Sequence, residues 1–259
     1  MINAFCDRMS LHKSLGQSGY IIQKDQIDET TIKNIYSDLT LKRNLPKSFN
    51  TPELKLYQEN DKYLYLPRFY GIEKFGEPSI TTFPDVTPIE IKYLHDLSPT
   101  QDMIYSNALN TIINKGGGCL VVPLGYGSTN IAIKLSTELN GKTMIIINYL
   151  TLFDTWVTEI TKATEGKAKI GYIKGGQVDI DDKDYIICMS QSLLKLEHIS
   201  EKIASFTTCI IDDDIAPKFL KIAHLIGSKY MVKMCHGKEY NFNIWCPYIG
   251  TIIECKLPN

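Results

Sequence analysis

VPLGYGSTNIAIKL, Val122 to Leu135, joins an apolar run that stops at Pro123 to a turn with alternating glycines, Gly125 and Gly127, and then to a run with helical spacing. A strand, a glycine turn and a helix in that order put the turn at the carboxyl end of a strand, where open parallel sheets bind ligands. A phosphate loop of this shape needs glycines so that backbone N–H groups can approach, a Lys to neutralise the terminal phosphates, and a hydroxyl for Mg²⁺. Gly125, Gly127 and Thr129 match the backbone and hydroxyl positions. Ser128 stands where the Lys belongs.

Outward from this loop, short apolar runs alternate with helical segments. The pattern predicts strands at Cys119–Pro123, Thr143–Asn148, Ala168–Ile173, Tyr185–Met189, Thr207–Asp212 and Tyr230–Met234. It predicts helices between them at Thr129–Leu139, Leu150–Thr161, Ser190–Leu196 and Pro217–Ile226. Buried strands flanked by helices mean a mostly parallel sheet with crossover connections. PTQDMIYSNALNTIIN (Pro99 to Asn114) predicts a helix with Met103, Ile104, Ala108 and Ile112 on its apolar face, ended by a turn at Gly116–Gly118. Before about residue 95 the chain is richer in polar residues and turn signals. DETTIKNIYSDLT (Asp28 to Thr40) predicts a helix capped by Asp28, with Ile32, Ile35 and Leu39 at helical spacing. KYLYLPRFYGIEKFG begins as a strand at Lys62 and breaks at Pro67. GEPSITTFPDVTP, from Gly76, is loop-like.

Composition bounds the function. An apolar fraction of 44% and a charged fraction of 22% over 259 residues fit a folded, soluble protein. No apolar run approaches the ~18 residues that span a bilayer, and the N-terminal stretch lacks the apolar core of a secretory signal. No membrane partner is expected. A net charge of −1 argues against tight binding driven by phosphate neutralisation alone, although a local basic stripe would suffice for nucleic acid. Seven cysteines occur singly, without a CxxC pair. Cys119, Cys188 and Cys209 lie at or beside apolar runs as small hydrophobes do, and a reduced intracellular setting follows.

Several segments, in order, resemble the first motor lobe of superfamily 2 helicases of the Asp-Glu-x-His type, above all those of large nucleocytoplasmic DNA viruses. YLYLPRFYGIEKFGEP (Tyr63 to Pro78) is similar to the segment leading into the motor. LSPTQDMIY carries Gln101 at the family's glutamine. TMIIINYLTLFDTWVTEI (Thr143 to Ile160) has Thr155-Trp156 where the family has Gln-Trp. AKIGYIKGGQVDIDDKDYIICMSQSLLK, CIIDDDIAPKFLKIAHLIGSKYMVKMCHG and YIGTIIE follow in register. The resemblance implies an α/β fold: a RecA-like, mostly parallel sheet with helices on both faces over 96–259, preceded by a small α+β accessory domain over 1–95. It stops where a second lobe would begin, so a single lobe is expected.

The departures fall on the chemistry. The acidic box reads Asp212-Asp213-Asp214-Ile215. Asp212 keeps the Mg²⁺ position. Asp213 takes the general-base position with a carboxylate one methylene short, and a misplacement of ~1 Å can cost about 10²-fold in rate. Ile215 replaces the family's His, and Cys235-His236-Gly237 replaces Ser-Ala-Thr. At Ser128 a charge pair worth roughly 4 kcal/mol at an effective dielectric near 20 is lost. Lys134, almost two turns into the helix, is too far along to replace it. The resemblance thus implies no intact catalytic residue and a vestigial nucleotide site of Gln101, Gly125, Gly127, Ser128 and Thr129. Thr129 and Asp212 are the only candidate Mg²⁺ ligands. No cofactor is expected beyond weak ATP and Mg²⁺.

Plainer readings stand beside these. The glycine turn could be a ligand-free connection, and Asp212–Asp214 a solvated strand end. Gln101 could read adenine or solvate a helix start. Trp156 reads as core packing rather than a base platform. Cys235, His236 and Cys246 match no zinc spacing. Lys62, Arg68 and Lys74 read as a solvated face. The expected function is a catalytically inactive helicase-like protein that binds a protein partner, with nucleic acid as a second partner. The expected place is intracellular, in cytoplasm or viral factory, and packaged in a virion. Two alternatives are an ATP-binding subunit that borrows a second lobe, and a single-stranded nucleic-acid module using the loops after Thr143–Asn148 and Tyr185–Met189.

Overall fold

The computed structural model describes residues 12–41, 53–123, 125–196, 199–212, 226–236 and 242–254. The accessory segment begins with a hairpin of β1 (Lys13–Gly16) and β2 (Gly19–Gln23). Helix α1 (Glu29–Asp38) starts where expected: the Asp28 carboxylate accepts from the Thr31 N–H at 2.8 Å, satisfying one of the orphan donors of the first turn. A small pair, β3 (Thr40–Leu41) and β4 (Leu54–Lys55), follows. Strands β5 (Gln58–Glu59), β6 (Tyr63–Leu66) and β7 (Ile80–Thr81) complete a five-stranded sheet ordered β5-β6-β2-β1-β7.

The break at Pro67 is also a beginning. Pro67 is the N-cap of α2 (Arg68–Phe75), a helix the sequence pattern does not announce. Gly71 explains how α2 lies so close to β2: a Cβ there would sit 2.2 Å from the Tyr20 ring.

The lobe opens with α3 (Pro99–Lys115). Ser98 and Gln101 form a reciprocal capping box at its start, and Gly116 closes it in the left-handed region at φ 83°. The elements then run β8 (Gly117–Val121), α4 (Ser128–Glu138), β9 (Thr143–Ile147), α5 (Leu150–Ala163), β10 (Ile170–Lys174), β11 (Gln177–Asp179), β12 (Tyr185–Met189), α6 (Ser190–Leu193), α7 (Ile199–Ile203), β13 (Thr208–Asp212), β14 (Tyr230–Cys235), α8 (Phe242–Ile249) and β15 (Thr251–Glu254). The eight strands order as β11-β10-β12-β9-β13-β14-β8-β15. Every pairing is parallel except the β10–β11 hairpin. Central strands β9 and β13 are buried at every position, which is why they read as unbroken apolar runs rather than alternating ones.

Three local readings change. Gly116 alone ends α3, while Gly117 and Gly118 are already strand. Met103 is 44% exposed and lies off the apolar face that buries Ile104, Ala108 and Ile112. Gly175 and Gly176, both at positive φ, turn β10 back into β11, a hairpin hidden by its short second strand. The predicted helix at Pro217–Ile226 lies outside the described residues except for its last position.

Two cores flank the sheet. One packs α3, α4 and α5 against Leu120, Ile145, Ile147, Ile187 and Ile210. The other is continuous from Leu15, Tyr20, Ile35 and Leu64 of the accessory segment to Cys119, Ile146, Ile211 and Ile249 of the lobe. Tyr248 on α8 donates to the Leu56 carbonyl at 2.6 Å across this shared core. Arg68 fastens it from the other end. Its guanidinium donates to the carbonyls of Lys229 at 2.8 Å and Lys115 at 3.3 Å and lies against the Phe69 and Phe83 rings. Burial pushes its pKa down to about 10. Arg68 is a strut between layers, not part of a solvated face; Lys74 pairs with Asp38 at 3.2 Å and Lys62 is exposed.

Candidate nucleotide site

The glycine turn lies where a parallel sheet presents its strand ends. Chain leaves β8, turns through Gly125 at φ 87° and Gly127 at φ 71°, and enters α4 at Ser128. Both glycines occupy backbone space that other residues enter only with strain. Around Gly125 nothing lies within 4 Å of where a Cβ would be, so the turn faces open space there. At Gly127 the Gln101 amide nitrogen would sit 2.3 Å from a Cβ.

Gln101 has two roles at once. Its Oε1 accepts from the Ser98 N–H at 2.9 Å, and its Nε2 donates to the Tyr126 carbonyl at 3.2 Å. It caps α3 and braces the loop from outside. Ser128 and Thr129 form the first turn of α4, half-buried. The first N–H groups of α4 there lack intrahelical partners, which leaves a weak anion-binding end. Lys134 does not turn back to the loop. It pairs with Glu138 at 2.7 Å and stacks near the rings of Tyr93 and Tyr105.

The acidic position is built differently from the expectation of a solvated strand end. Asp212, at the end of β13, is buried. The Trp156 indole N–H donates to its Oδ2 at 2.9 Å, and His236 Nε2 lies 3.2 Å from its Oδ1. Trp156 is itself core, 1% exposed on α5. His236 follows β14, the neighbour of β13, and its pKa is raised by the hydrogen bond to Asp212, partly offset by burial. The strand end after β14 therefore reaches the acid through the His236 imidazole. Asp213, Asp214, Ile215 and Gly237 lie outside the described residues. Among the described residues no group of three or more His, Cys, Asp and Glu side chains is placed to hold a metal ion.

The structure brings Gln101, Gly125, Gly127, Ser128 and Thr129 together around one turn. It ties Asp212 to two residues that sequence reasoning did not connect to it. The chain that follows β8, β9 and β12 at the carboxyl end of the sheet carries exposed apolar groups: Tyr126, Tyr149 at 61% exposure, Leu150 and Leu194. Ser190 Oγ donates to Asn148 Oδ1 at 3.1 Å and joins the loops after β9 and β12. No helix among the described residues is long and apolar enough to cross a membrane.

Known proteins place this arrangement. The family described as type III restriction enzyme, res subunit, matches residues 94–215. A protein of Acanthamoeba polyphaga mimivirus, provisionally named ATP-dependent RNA helicase L396, is 33% identical over 253 residues. The match covers 92% of this chain and 48% of the relative, so the chain spans about half of that protein's length. The structure of the UvsW helicase of bacteriophage T4 aligns over 93% of this chain and 99% of that one, with a TM-score of 0.63 at 15% identity. The SWI2/SNF2 ATPase core of Sulfolobus solfataricus, solved with double-stranded DNA, aligns over 65% of this chain and 38% of that one, with a TM-score of 0.51 at 19% identity. At these identities the solved structures speak for the fold, while the viral relative speaks for kinship. With the motif order, the RecA-like sheet and the viral relative in agreement, the chain is a superfamily 2 helicase-like protein of the nucleocytoplasmic-virus type.

Proposed function

We propose that this lobe works as a binding component rather than a motor: a helicase-like scaffold without ATP turnover, serving a partner within the assembly of a large DNA virus. The observation that carries the reading is Ser128 in the first turn of α4. The lost Lys charge was worth roughly 4 kcal/mol to a bound phosphate. The helix end that remains supplies about 0.3–1 kcal/mol, too little to replace it. Asp212 adds support, because both its oxygens are already engaged by the protein.

Titration with labelled ATP and Mg²⁺ tests this. No saturable binding is expected below millimolar, and micromolar binding would overturn the proposal. Ser128→Lys should tighten nucleotide binding by tenfold or more, since each tenfold needs only about 1.4 kcal/mol. A variant indistinguishable from the natural protein would mean that the turn is not a phosphate site even in outline.

A second reading, single-stranded nucleic-acid binding, is favoured by Tyr126, Tyr149, Leu150 and Leu194 exposed at the carboxyl end of the sheet. Base–aromatic stacking contributes about 1–3 kcal/mol per base. Fluorescence anisotropy with a labelled oligothymidine at two salt concentrations should then show binding that Tyr149→Ala weakens about fivefold or more. Absence of binding at low salt removes this reading and leaves a protein partner.

A further inference from the structure

On the opposite face of the sheet, three thiols meet. Cys119 lies in the middle of β8 and Cys235 ends β14; both are buried in the core shared with the accessory segment. Cys246 comes from α8, which packs over these strands, and its side chain adjoins the same core. Cys246 also lines a cavity of about 870 Å³ whose walls include Arg68, Phe69, Glu73, Lys115 and Thr251. It therefore packs against the core that holds the buried thiols on one side and faces a space open to small molecules on the other.

The contact polarises the pair. The nearby Cys119 side chain lowers the pKa of Cys246 against the opposing effects of burial and of the Glu73 charge. Cys119 keeps its proton, held by hydrogen bonds with Cys235 and Cys246 and by burial. Of the three thiols, Cys246 is the accessible one, while Cys119 and Cys235 lie buried in the core behind it. Thiolate character and access decide which cysteines oxidise. Pro247 follows Cys246 inside α8 and cannot donate the hydrogen bond that would fix the turn.

We propose that Cys246 is a peroxide-oxidation site, with Cys119 resolving the product into a disulfide that ties α8 to β8. In the first step the Cys246 sulfur attacks one peroxide oxygen. The O–O bond breaks, a sulfenic acid forms, and the other oxygen leaves as water or an alcohol with the thiol proton. In the second step Cys119 attacks the Cys246 sulfur. The S–O bond breaks, the S–S bond forms, and water leaves with the Cys119 proton. One peroxide is reduced and two thiols are oxidised. No disulfide joins the described cysteines.

The test is a non-reducing peptide map of the full chain after hydrogen peroxide treatment and alkylation. A Cys119–Cys246 linked peptide is expected, forming faster in the native protein than in urea. In Cys119→Ala, dimedone should trap a sulfenic acid at Cys246. A Cys246 that is still alkylated as a free thiol after the peroxide is consumed would overturn the proposal, and so would a Cys119–Cys235 link in its place. If Cys119→Ala does not fold, the map of the natural chain decides alone.

Discussion

Trp156→Ala is expected to destabilise the protein by ~3–5 kcal/mol, the usual cost of removing a large buried aromatic ring. Trp156 is 1% exposed and fills the layer between α5 and the sheet. Its loss opens a cavity and also leaves Asp212 Oδ2 without the donor it has at 2.9 Å. Trp156→Phe separates the two effects. It keeps most of the ring volume and removes the N–H, so its cost should be nearer the ~1–3 kcal/mol of an unsatisfied buried acceptor. Urea unfolding followed by far-ultraviolet circular dichroism reads both values, with the slope against urea unchanged if only stability moves. A Trp156→Phe variant as stable as the natural protein would show that the Asp212 carboxylate does not depend on the indole.

The second large effect is expected at Gly117. Gly117→Ala should cost more than about 4 kcal/mol or prevent folding, placing it in the exceptional tail of single substitutions. A Cβ there would lie 2.4 Å from the Ile249 carbonyl oxygen and 2.7 Å from that of Met231. Both obstacles are backbone, one at the end of α8 and one in the neighbouring strand, so neither can rotate away. Gly125→Ala is the control. No atom lies within 4 Å of its Cβ position, and only its φ of 87° opposes the change, at about 1–2 kcal/mol. Equal costs at the two positions would show that backbone crowding around β8 is less rigid than the geometry requires.

Much of the lobe was legible because its central strands are buried on both faces, and α1 of the accessory segment because it carries a cap. Thr143–Ile147 and Tyr185–Met189 read directly as apolar runs, and Asp28 marked the start of α1. Helix α2 was not legible. Its run RFYGIEKF contains a glycine, and the reason for that glycine is the Tyr20 ring on another element. Arg68 looked like surface by residue type, yet its five donors suit it to fasten backbone carbonyls. At the candidate site, the loop glycines and Ser128 could be read from the sequence alone. The cluster of Trp156, Asp212 and His236 could not. Trp156 and His236 are 56 and 24 residues from Asp212, and only the adjacency of β13 and β14, with α5 packed beside them on β9 and β12, brings the three together. Gln101 had two readings, and the structure uses it as cap and brace, choices set by the position of Tyr126.

The place of β8 in the sheet also governs the order in which the molecule can assemble. This strand leads into the glycine turn, yet its two partners are β14 and β15, which begin at Tyr230 and Thr251. Contacts this distant in sequence close large loops and form late. During synthesis the phosphate-type turn therefore leaves the ribosome tethered to a strand with no neighbour on either side. This strand and its turn are among the last parts of the fold to be locked in place, and a chain halted before Thr251 would present an open edge along β8 to any chaperone or extended peptide nearby.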